Sequence, residues 1–424
     1  RMEMRGLLRD GSVSRVVKDI EEGRARVNNE VLEAENGVEG DIGTDEQFRT
    51  MYCTTTEGQA GLYFIWKIDK EATDYTVSKV MLAEHEESWE GKRMKQALKV
   101  IVRVHSALRT VRFQMMGNGA VVQEIDWKAK IDWEEWKEDV IRRGKEEIER
   151  SWDLEGESRL MRVRMTEGII LIVMHHIITD EWSGEVLKEH LRKVYQQETR
   201  MSARELGVEG QYWEFCEWEG RILDREGEDL RKWWKREVEG VDNERGDVIS
   251  HKRGLRKSFG MKIPAKTRKR VEERSREGGV TLFGVYQMMY GMWKGMRENK
   301  RKQCIVGPYG RRGGKKYSKT VGYFLNMLIY CYDVEQMEQL KIQERVKEGG
   351  RVVRDAIEHG MYPFQRVIRE NGMDGETLLA ENMFAWVQPD TQRREGIGNT
   401  EAIEMQNTAK GRWSVSCDGE WVTG

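Results

Sequence analysis

The chain has 424 residues, 34% of them charged, and a formal net charge of −2 at pH 7. Charges of both signs are interspersed, which excludes the clustered positive charge that a nucleic-acid-binding face requires. The longest apolar run, residues 169–174, is too short to cross a bilayer, so we expect no membrane-spanning segment.

Five cysteines are scattered along the chain, and no two form a CxxC pair. An odd, widely spaced set predicts free thiols in a reducing cytoplasm and no zinc or other metal site. Residues 1–20 are charged throughout and lack the form of a signal peptide, which agrees with a cytoplasmic protein. The cysteines are Cys53, Cys216, Cys304, Cys331 and Cys417.

The first part of the chain predicts a lead-in segment, a helix and a hairpin. Residues 1–22 carry apolar side chains at near-helical spacing, and residues 23–55 are polar without a sustained period, which indicates a linker. Residues 92–108 place their apolar side chains on one helix face, and Arg109 follows. Two β-rich runs around Asn118-Gly119 predict a hairpin with a tight turn.

An apolar run rich in Ile and Val, residues 169–174, leads directly into His175 and His176. It predicts a buried strand, whose successive side chains point to opposite faces. Only one of the two histidines therefore faces a cavity, where an imidazole suits general-base chemistry; two core histidines before a turn are the simpler alternative. Asp180 follows in the turn, and Ser183 is the predicted N-cap of the next helix.

The second part of the chain again alternates helices and strands, after a charged connector. Residues 199–260 are highly charged with embedded tryptophans, and we place a domain boundary near residue 235. A short strand at residues 304–306, a β-rich segment at 322–332 and a strand at 383–387 alternate with helical stretches. Two similar-sized halves of this kind indicate a two-domain α/β architecture.

The pattern His175-His176-x-x-x-Asp180, followed by Trp182-Ser183, resembles the HHxxxDG motif of nonribosomal peptide synthetase condensation domains. These domains belong to the chloramphenicol acetyltransferase-like superfamily. Five further segments resemble other motifs of the family and follow its order along the chain. They are residues 56–64, 104–113, 212–218, 321–326 and 359–364.

The resemblance implies an α/β fold with two chloramphenicol-acetyltransferase-like lobes arranged as a V-shaped pseudo-dimer. Residues 56–235 would form the N-terminal lobe, which carries the HHxxxD motif, and residues 236–424 the C-terminal lobe. Residues 1–55 would be a linker or the tail of an upstream carrier domain.

The implied activity is formation of a peptide (amide) bond between a donor acyl or peptidyl thioester and an acceptor aminoacyl thioester. Donor and acceptor peptidyl carrier proteins would hold both substrates on phosphopantetheine arms, beside an adenylation domain, in natural product biosynthesis. The chain itself would bind no cofactor, because the phosphopantetheine arrives on the partner.

The resemblance assigns His176 to the tunnel between the lobes and leaves three roles open: general base, positioning of the amine, or stabilisation of charge. The catalytic residues that the resemblance implies are His176, His175 and Asp180, with His175 facing the packed interior. Asp180 would either orient His176 or, as in the family, pair with a distant arginine and hold the loop. Three arginines are candidates for that partner: Arg311, which is preferred, and its rivals Arg112 and Arg312.

Glu181 replaces the glycine of the motif, and the late RDxSRNPL segment of the family has no clear counterpart. If Glu181 faces the tunnel, or stands where a glycine needs positive φ, it would perturb His176 or strain the backbone. The substitution Glu181→Gly is then expected to raise condensation activity. These departures support the alternative of a catalytically impaired docking or recruitment domain, and an epimerization domain of the same fold is a second alternative.

Two further groups of residues complete the predicted site. Structural support of the site is assigned to Arg311, Arg109, Glu181, Trp182 and Ser183, and lining of the tunnel, with ordinary core as the alternative, to Gly322, Tyr323 and Asn326.

Overall fold

The computed structural model describes most of the chain from Thr50 onward. The described residues are 50–83, 88–128, 130–137, 140–156, 159–166, 168–197, 201–241, 260–386, 414–417 and 421–423. The helix expected at residues 1–22, and with it the choice between a linker and a carrier tail for residues 1–49, lies outside them. Residues 50–54, which we expected to be linker, form a strand instead.

The N-terminal elements combine short strands with amphipathic helices. They are β1 (Thr50–Thr54), α1 (Glu57–Ile68), β2 (Thr76–Leu82), α2 (Gly91–Val104), a 3-10 turn (Ser106–Arg109), β3 (Thr110–Met115), β4 (Val121–Asp126), β5 (Asp132–Glu135), α3 (Val140–Ile148), β6 (Met161–Met165), β7 (Ile169–His175), a second 3-10 turn (His176–Ile178), α4 (Glu181–Gln197) and α5 (Tyr212–Glu237).

The C-terminal elements group their helices in runs between strands. They are β8 (Gly260–Lys262), α6 (Ala265–Gly278), α7 (Leu282–Glu298), β9 (Lys302–Gly310), β10 (Leu325–Asp333), α8 (Val334–Gln339), α9 (Ile342–Glu358), α10 (Phe364–Glu370), α11 (Gly375–Asn382), β11 (Met383–Trp386), β12 (Ser414–Cys417) and β13 (Trp421–Thr423). Within the described ranges, no helix has both the length and the apolar character needed to cross a membrane.

Strand β7 positions the histidine motif. It pairs antiparallel with β2 and β6 in a four-stranded sheet of order β2-β7-β6-β5. The register places Thr76 opposite His175 and Lys79 opposite Ile172. Because side chains alternate along a strand, His175 and Lys79 lie on opposite faces of this sheet.

The remaining described strands form two further sheets. One has three antiparallel strands in the order β1-β4-β3, and the other has six strands in the order β10-β9-β11-β12-β13-β8. Strands β3 and β4 are the predicted hairpin, with Gly119 at a φ of 84° in its turn, which an L side chain rarely adopts.

Two hydrophobic cores divide the described chain, and helix α5 belongs to both. Its first turns pack Tyr212 and Phe215 into the first core, whereas Leu230 and Trp234 pack into the second. The segment 317–324, which precedes β10, returns to the first core. The boundary expected near residue 235 therefore falls inside a continuous helix, and the exact division into lobes stays a prediction.

The expectation of five free thiols is wrong for one pair of cysteines. Cys304 on β9 and Cys331 on β10 lie directly opposite each other in the antiparallel register, with 4.2 Å between their Cα atoms, and form a disulfide. Spacing along the sequence, here 27 residues, does not reveal such a cross-strand pair. The inference of a reducing cytoplasm rested on free thiols and loses that basis. The other three cysteines are buried and do not take part in this disulfide: Cys53, Cys216 and Cys417.

Candidate active site

The first histidine ends strand β7 and belongs to the protein interior. His175 is 3% exposed, and its Nδ1 accepts a hydrogen bond of 3.0 Å from the backbone N–H of Ile177. The Trp152 ring packs against the imidazole in a T-shaped arrangement with 6.0 Å between the ring centroids, and the Tyr75 ring centroid lies 6.5 Å away. These contacts fix the sharp turn by which the chain leaves the strand.

The second histidine is half-buried and lies just past the end of the strand. The backbone N–H of His176 donates to the carbonyl of Tyr75 at 2.7 Å, and its Nδ1 lies 2.7 Å from the carbonyl oxygen of Thr179. Because a carbonyl only accepts, Nδ1 carries the proton and the lone pair of the neutral ring is on Nε2. The imidazole ring meets the Tyr323 ring edge to face, with 5.4 Å between the ring centroids.

Asp180 joins the histidine turn to a segment from the second half of the chain. One carboxylate oxygen accepts from the backbone N–H of Ser183 at 2.7 Å and from Arg312 Nη2 at 2.8 Å, and the other accepts from the N–H of Phe324 at 3.0 Å. Asp180 is therefore the capping residue of α4, and the expectation that Ser183 is its N-cap is wrong.

The preferred arginine partner was also wrong by one position. Arg312, one of the two rivals, pairs with Asp180, whereas Arg311 pairs with Glu219. Arg311 and Arg312 follow β9 in sequence, and adjacent side chains of an extended chain point in opposite directions. Arg112 pairs with Glu124 at the hairpin.

Ser183 and Gly322 complete this arrangement, and we call Asp180, Ser183, Arg312 and Gly322 the latch. The Ser183 hydroxyl donates to the carbonyl of Gly322 at 2.7 Å, accepts from its N–H at 3.0 Å and accepts from Arg312 Nη2 at 2.7 Å. Arg312 Nη1 also donates to the carbonyls of Tyr317 and Thr320. Burial lowers the pKa of Arg312, and the Asp180 carboxylate opposes that shift.

A second buried ion pair lies beside the latch and was not foreseen. Glu219 on α5 accepts from Arg311 and, at 2.9 Å, from the backbone N–H of Glu57 at the start of α1. Burial raises the pKa of Glu219, against the lowering influence of Arg311. Phe215 lies four residues earlier on the same helix face and is fully buried. A carboxylate on an otherwise apolar helix face was therefore the sequence signal that could have predicted this buried ion pair.

The three tunnel candidates lie in different surroundings. Gly322 is covered by the Tyr212 ring, whose Cγ would be 2.5 Å from an added Cβ. Tyr323 contacts the His176 ring. Asn326 is buried, and its amide hydrogen-bonds the backbone of the turn at residues 360–364, with distances of 2.9 to 3.1 Å. Of the three, Tyr323 is the residue whose contacts place it at the histidine.

The residues assigned to structural support also lie in different surroundings. Arg109 donates to the carbonyls of Val102 and Arg103 and packs over Trp127, so it secures the end of α2. Trp182 is 52% exposed, and its Nε1 donates to the carbonyl of Ser318 at 2.9 Å.

Glu181 is the motif departure, and it occupies the first turn of α4. Its side chain is 66% exposed, and its carboxylate pairs with the ammonium of Lys79. Among the non-glycine residues that the structure describes, only Asn299 has positive φ, so backbone strain at position 181 is excluded.

Comparison with known proteins gives the chain its relatives. A family model for the condensation domain matches residues 50–412. Surfactin synthase subunit 2 from Bacillus subtilis (strain 168) is 25% identical over 364 residues, covering 83% of this chain and 10% of that protein. Polyketide synthase PksN of the same strain is 24% identical over 347 residues, covering 77% of this chain and 6% of that protein. The chain thus spans a tenth or less of these two relatives.

Solved structures share the architecture. The condensation domain from the monacolin K polyketide synthase MokA matches with a TM-score of 0.66 at 16% identity, over 88% of this chain and 91% of that chain. The X-domain from teicoplanin biosynthesis, in its complex with OxyB, gives 0.65 at 18% identity, over 81% and 78% of the two chains. These likenesses confirm the predicted α/β class and the chloramphenicol-acetyltransferase-like fold.

The sequence motifs, the fold and the family match therefore agree. Residues 50–412 include the His175-His176 turn and all four residues of the latch. The chain belongs to the condensation-domain family of nonribosomal peptide synthetases, whose members form peptide bonds between substrates held on carrier proteins.

Proposed function

We propose that this domain joins a donor acyl or peptidyl thioester to an acceptor aminoacyl thioester, each delivered on the phosphopantetheine arm of a peptidyl carrier protein. The observation that carries the proposal is the contact between His176 Nδ1 and the Thr179 carbonyl. The Thr179 carbonyl at 2.7 Å holds the proton on Nδ1, so that a half-buried ring directs the Nε2 lone pair away from the turn.

The reaction demands little beyond alignment. The acceptor amine attacks the thioester carbonyl, and a C–N bond forms while the carbonyl electron pair moves to oxygen. The ammonium proton passes to Nε2 of His176, the oxyanion collapses, and the C–S bond breaks. The donor thiolate then takes the proton, which leaves a free thiol and an elongated acceptor. Alignment alone can supply about 7–11 kcal/mol of the barrier.

The role of Asp180 in this proposal is to position the turn. Its carboxylate accepts from two backbone amides and Arg312, and these bonds hold the turn from residues 176 to 180 against the segment 312–324. Asp180 thereby fixes where the His176 ring lies without touching the reacting atoms. This supports the loop-holding alternative over a triad in which Asp180 orients the imidazole.

The test is a reconstituted assay with loaded donor and acceptor carriers under single-turnover conditions. The variant His176→Ala should lose at least 100-fold in the rate of amide formation, on the order of the contribution of a general base. His359→Ala is a matched control, because His359 stacks on Trp233 at 3.9 Å and takes no part in the latch. Equal rates for the parent and His176→Ala would refute the proposed role.

One observation favours a second candidate, a domain kept for recruitment. The X-domain that matches this chain was solved in a complex with OxyB, so this fold also occurs in a domain bound to another protein. Glu181 stands where the condensation motif has glycine. A folded parent chain that forms no amide with any loaded carrier pair, yet binds a carrier or an adjacent enzyme, would favour recruitment. Exchange of the substrate α-proton in D2O would instead indicate epimerization.

A further inference from the structure

A buried lysine lies beside the histidine turn, and the reaction itself does not account for it. Lys79 projects from β2, and its side chain is only 6% exposed. An ammonium in such a place is costly unless it is paired. Its Nζ pairs with Glu181 and lies 3.3 Å from Glu185. Burial lowers the pKa of Lys79, but these two carboxylates outweigh burial and raise it.

Gly184 leaves space for the Lys79 side chain, because glycine has no Cβ. A Cβ added at Gly184 would clash with Lys79 Cε and would lie 3.3 Å from both Cγ and Cδ of the lysine. The lysine stem therefore runs along α4 at Gly184, and Glu181 and Glu185 are four residues apart, on one face of the helix. A sheet residue is thus ion-paired with the first turn of the helix that follows Asp180.

The position of Glu181 explains why its ion pair with Lys79 matters for the active site. Glu181 directly follows Asp180, and it replaces the motif glycine. An unpaired carboxylate there would repel Asp180, compete for Arg312 and favour the protonated imidazole of His176. The ion pair with Lys79 instead holds the Glu181 carboxylate on the side of α4 along which the lysine side chain runs.

We propose that Lys79 is a positioning residue of this active site, which neutralises Glu181 and fixes the first turn of α4, so that the chain functions with glutamate in place of the motif glycine. The inference rests on the proposed condensation function. It reverses the expectation from sequence, because Glu181→Gly now removes a partner from a buried ammonium and should lower activity.

The experiment is a double-mutant cycle with Lys79→Met, Glu181→Gly and the combined variant. Glu189→Gly is the control, because Glu189 lies on the same helix in an exposed pair with Lys319, and glycine in the helix interior loses at least as much helix propensity as glycine at its first residue. Thermal unfolding is measured first. Glu181→Gly should lower Tm by about 4 °C more than the control, and adding Lys79→Met should restore at least half of that loss.

Kinetics then separate positioning from simple folding, at a temperature where every variant is folded. Lys79→Met should lower kcat about fivefold with KM for the acceptor carrier unchanged, and should move the acid limb of the pH profile upward by about half a unit. The combined variant should return to within about twofold of the parent.

Three results would count against the proposal. Additive losses in the Tm cycle would show that Lys79 and Glu181 are not coupled. A Lys79→Met variant with parental kcat and pH profile, or a Glu181→Gly variant faster than the parent, would refute the positioning role. A parent chain without condensation activity refutes the proposed function, and the kinetic half of this proposal with it, whereas the Tm cycle still reports the ion pair.

Discussion

Removing the Asp180 carboxylate is the sharpest perturbation of the latch. The side chains of Asp180 and Arg312 are 5% and 10% exposed, so Asp180→Ala leaves a buried guanidinium without its counter-charge. Loss of one partner of a buried ion pair costs about 3–5 kcal/mol. Arg312 keeps the Tyr317 and Thr320 carbonyls and the Ser183 hydroxyl as acceptors, which places the expected loss near the lower end, about 3 kcal/mol.

Two details refine this magnitude. The variant also leaves the N–H groups of Ser183 and Phe324 without their acceptor, which adds about 1 kcal/mol for each that water does not reach. Asp180→Asn should be nearly as damaging, because one end of an amide is a donor and would face either Arg312 or the N–H of Phe324.

Urea unfolding followed by tryptophan fluorescence and circular dichroism measures the effect. We expect Asp180→Ala to lower the free energy of unfolding by about 3–5 kcal/mol. The exposed pair of Asp229 and Lys232, at 3.8 Å, provides the control, since Asp229→Ala should change it by less than about 1 kcal/mol. An Asp180→Ala variant with parental unfolding and lost amide formation would refute the structural role and restore the catalytic one.

Three further predictions test the surroundings of the latch. Glu219→Gln removes the charge that faces the buried arginine at position 311 and should destabilise the fold by about 3 kcal/mol in the same urea assay. Gly322→Ala drives a methyl group into the Tyr212 ring and should cost about 1–3 kcal/mol, together with amide-forming activity, as calorimetry and the carrier assay would show. Burial lowers the pKa of His190 to about 4, so between about pH 6.5 and pH 4 the unfolded chain binds a proton at this residue and the folded chain does not. The free energy of unfolding should therefore fall as the pH drops through this range. His190→Asn should make that fall smaller, as unfolding midpoints measured across the range would show.

Local pattern was sufficient for strand β7, for the hairpin and for the histidine turn. The apolar run at 169–174 predicts β7 because a fully buried strand needs no polar alternation, and the structure ends that strand at His175. The hairpin around Asn118-Gly119 is confirmed for the same local reason, since its turn demands positive φ. The ordered motifs predicted the fold.

Long-range pairing was beyond the same reasoning. Arg311 and Arg312 are neighbours in sequence, and the side chain that meets Asp180 depends on how the chain leaves β9 and pairs with residues before β10. The pairing of Cys304 with Cys331 likewise depends on a register that composition does not encode. The Glu181 contact required knowing that Lys79 faces α4.

The latch couples the histidine turn to both cores, and this determines how the site responds to distant change. Arg312 follows β9, a strand of the second core, while the segment 317–324 packs into the first core. A substitution that shifts β9 therefore displaces Arg312 and, through Asp180, the turn that holds His176. Because a chain of hydrogen-bonded buried groups has few alternative arrangements, such a shift should lower the rate of amide formation before it unfolds the protein.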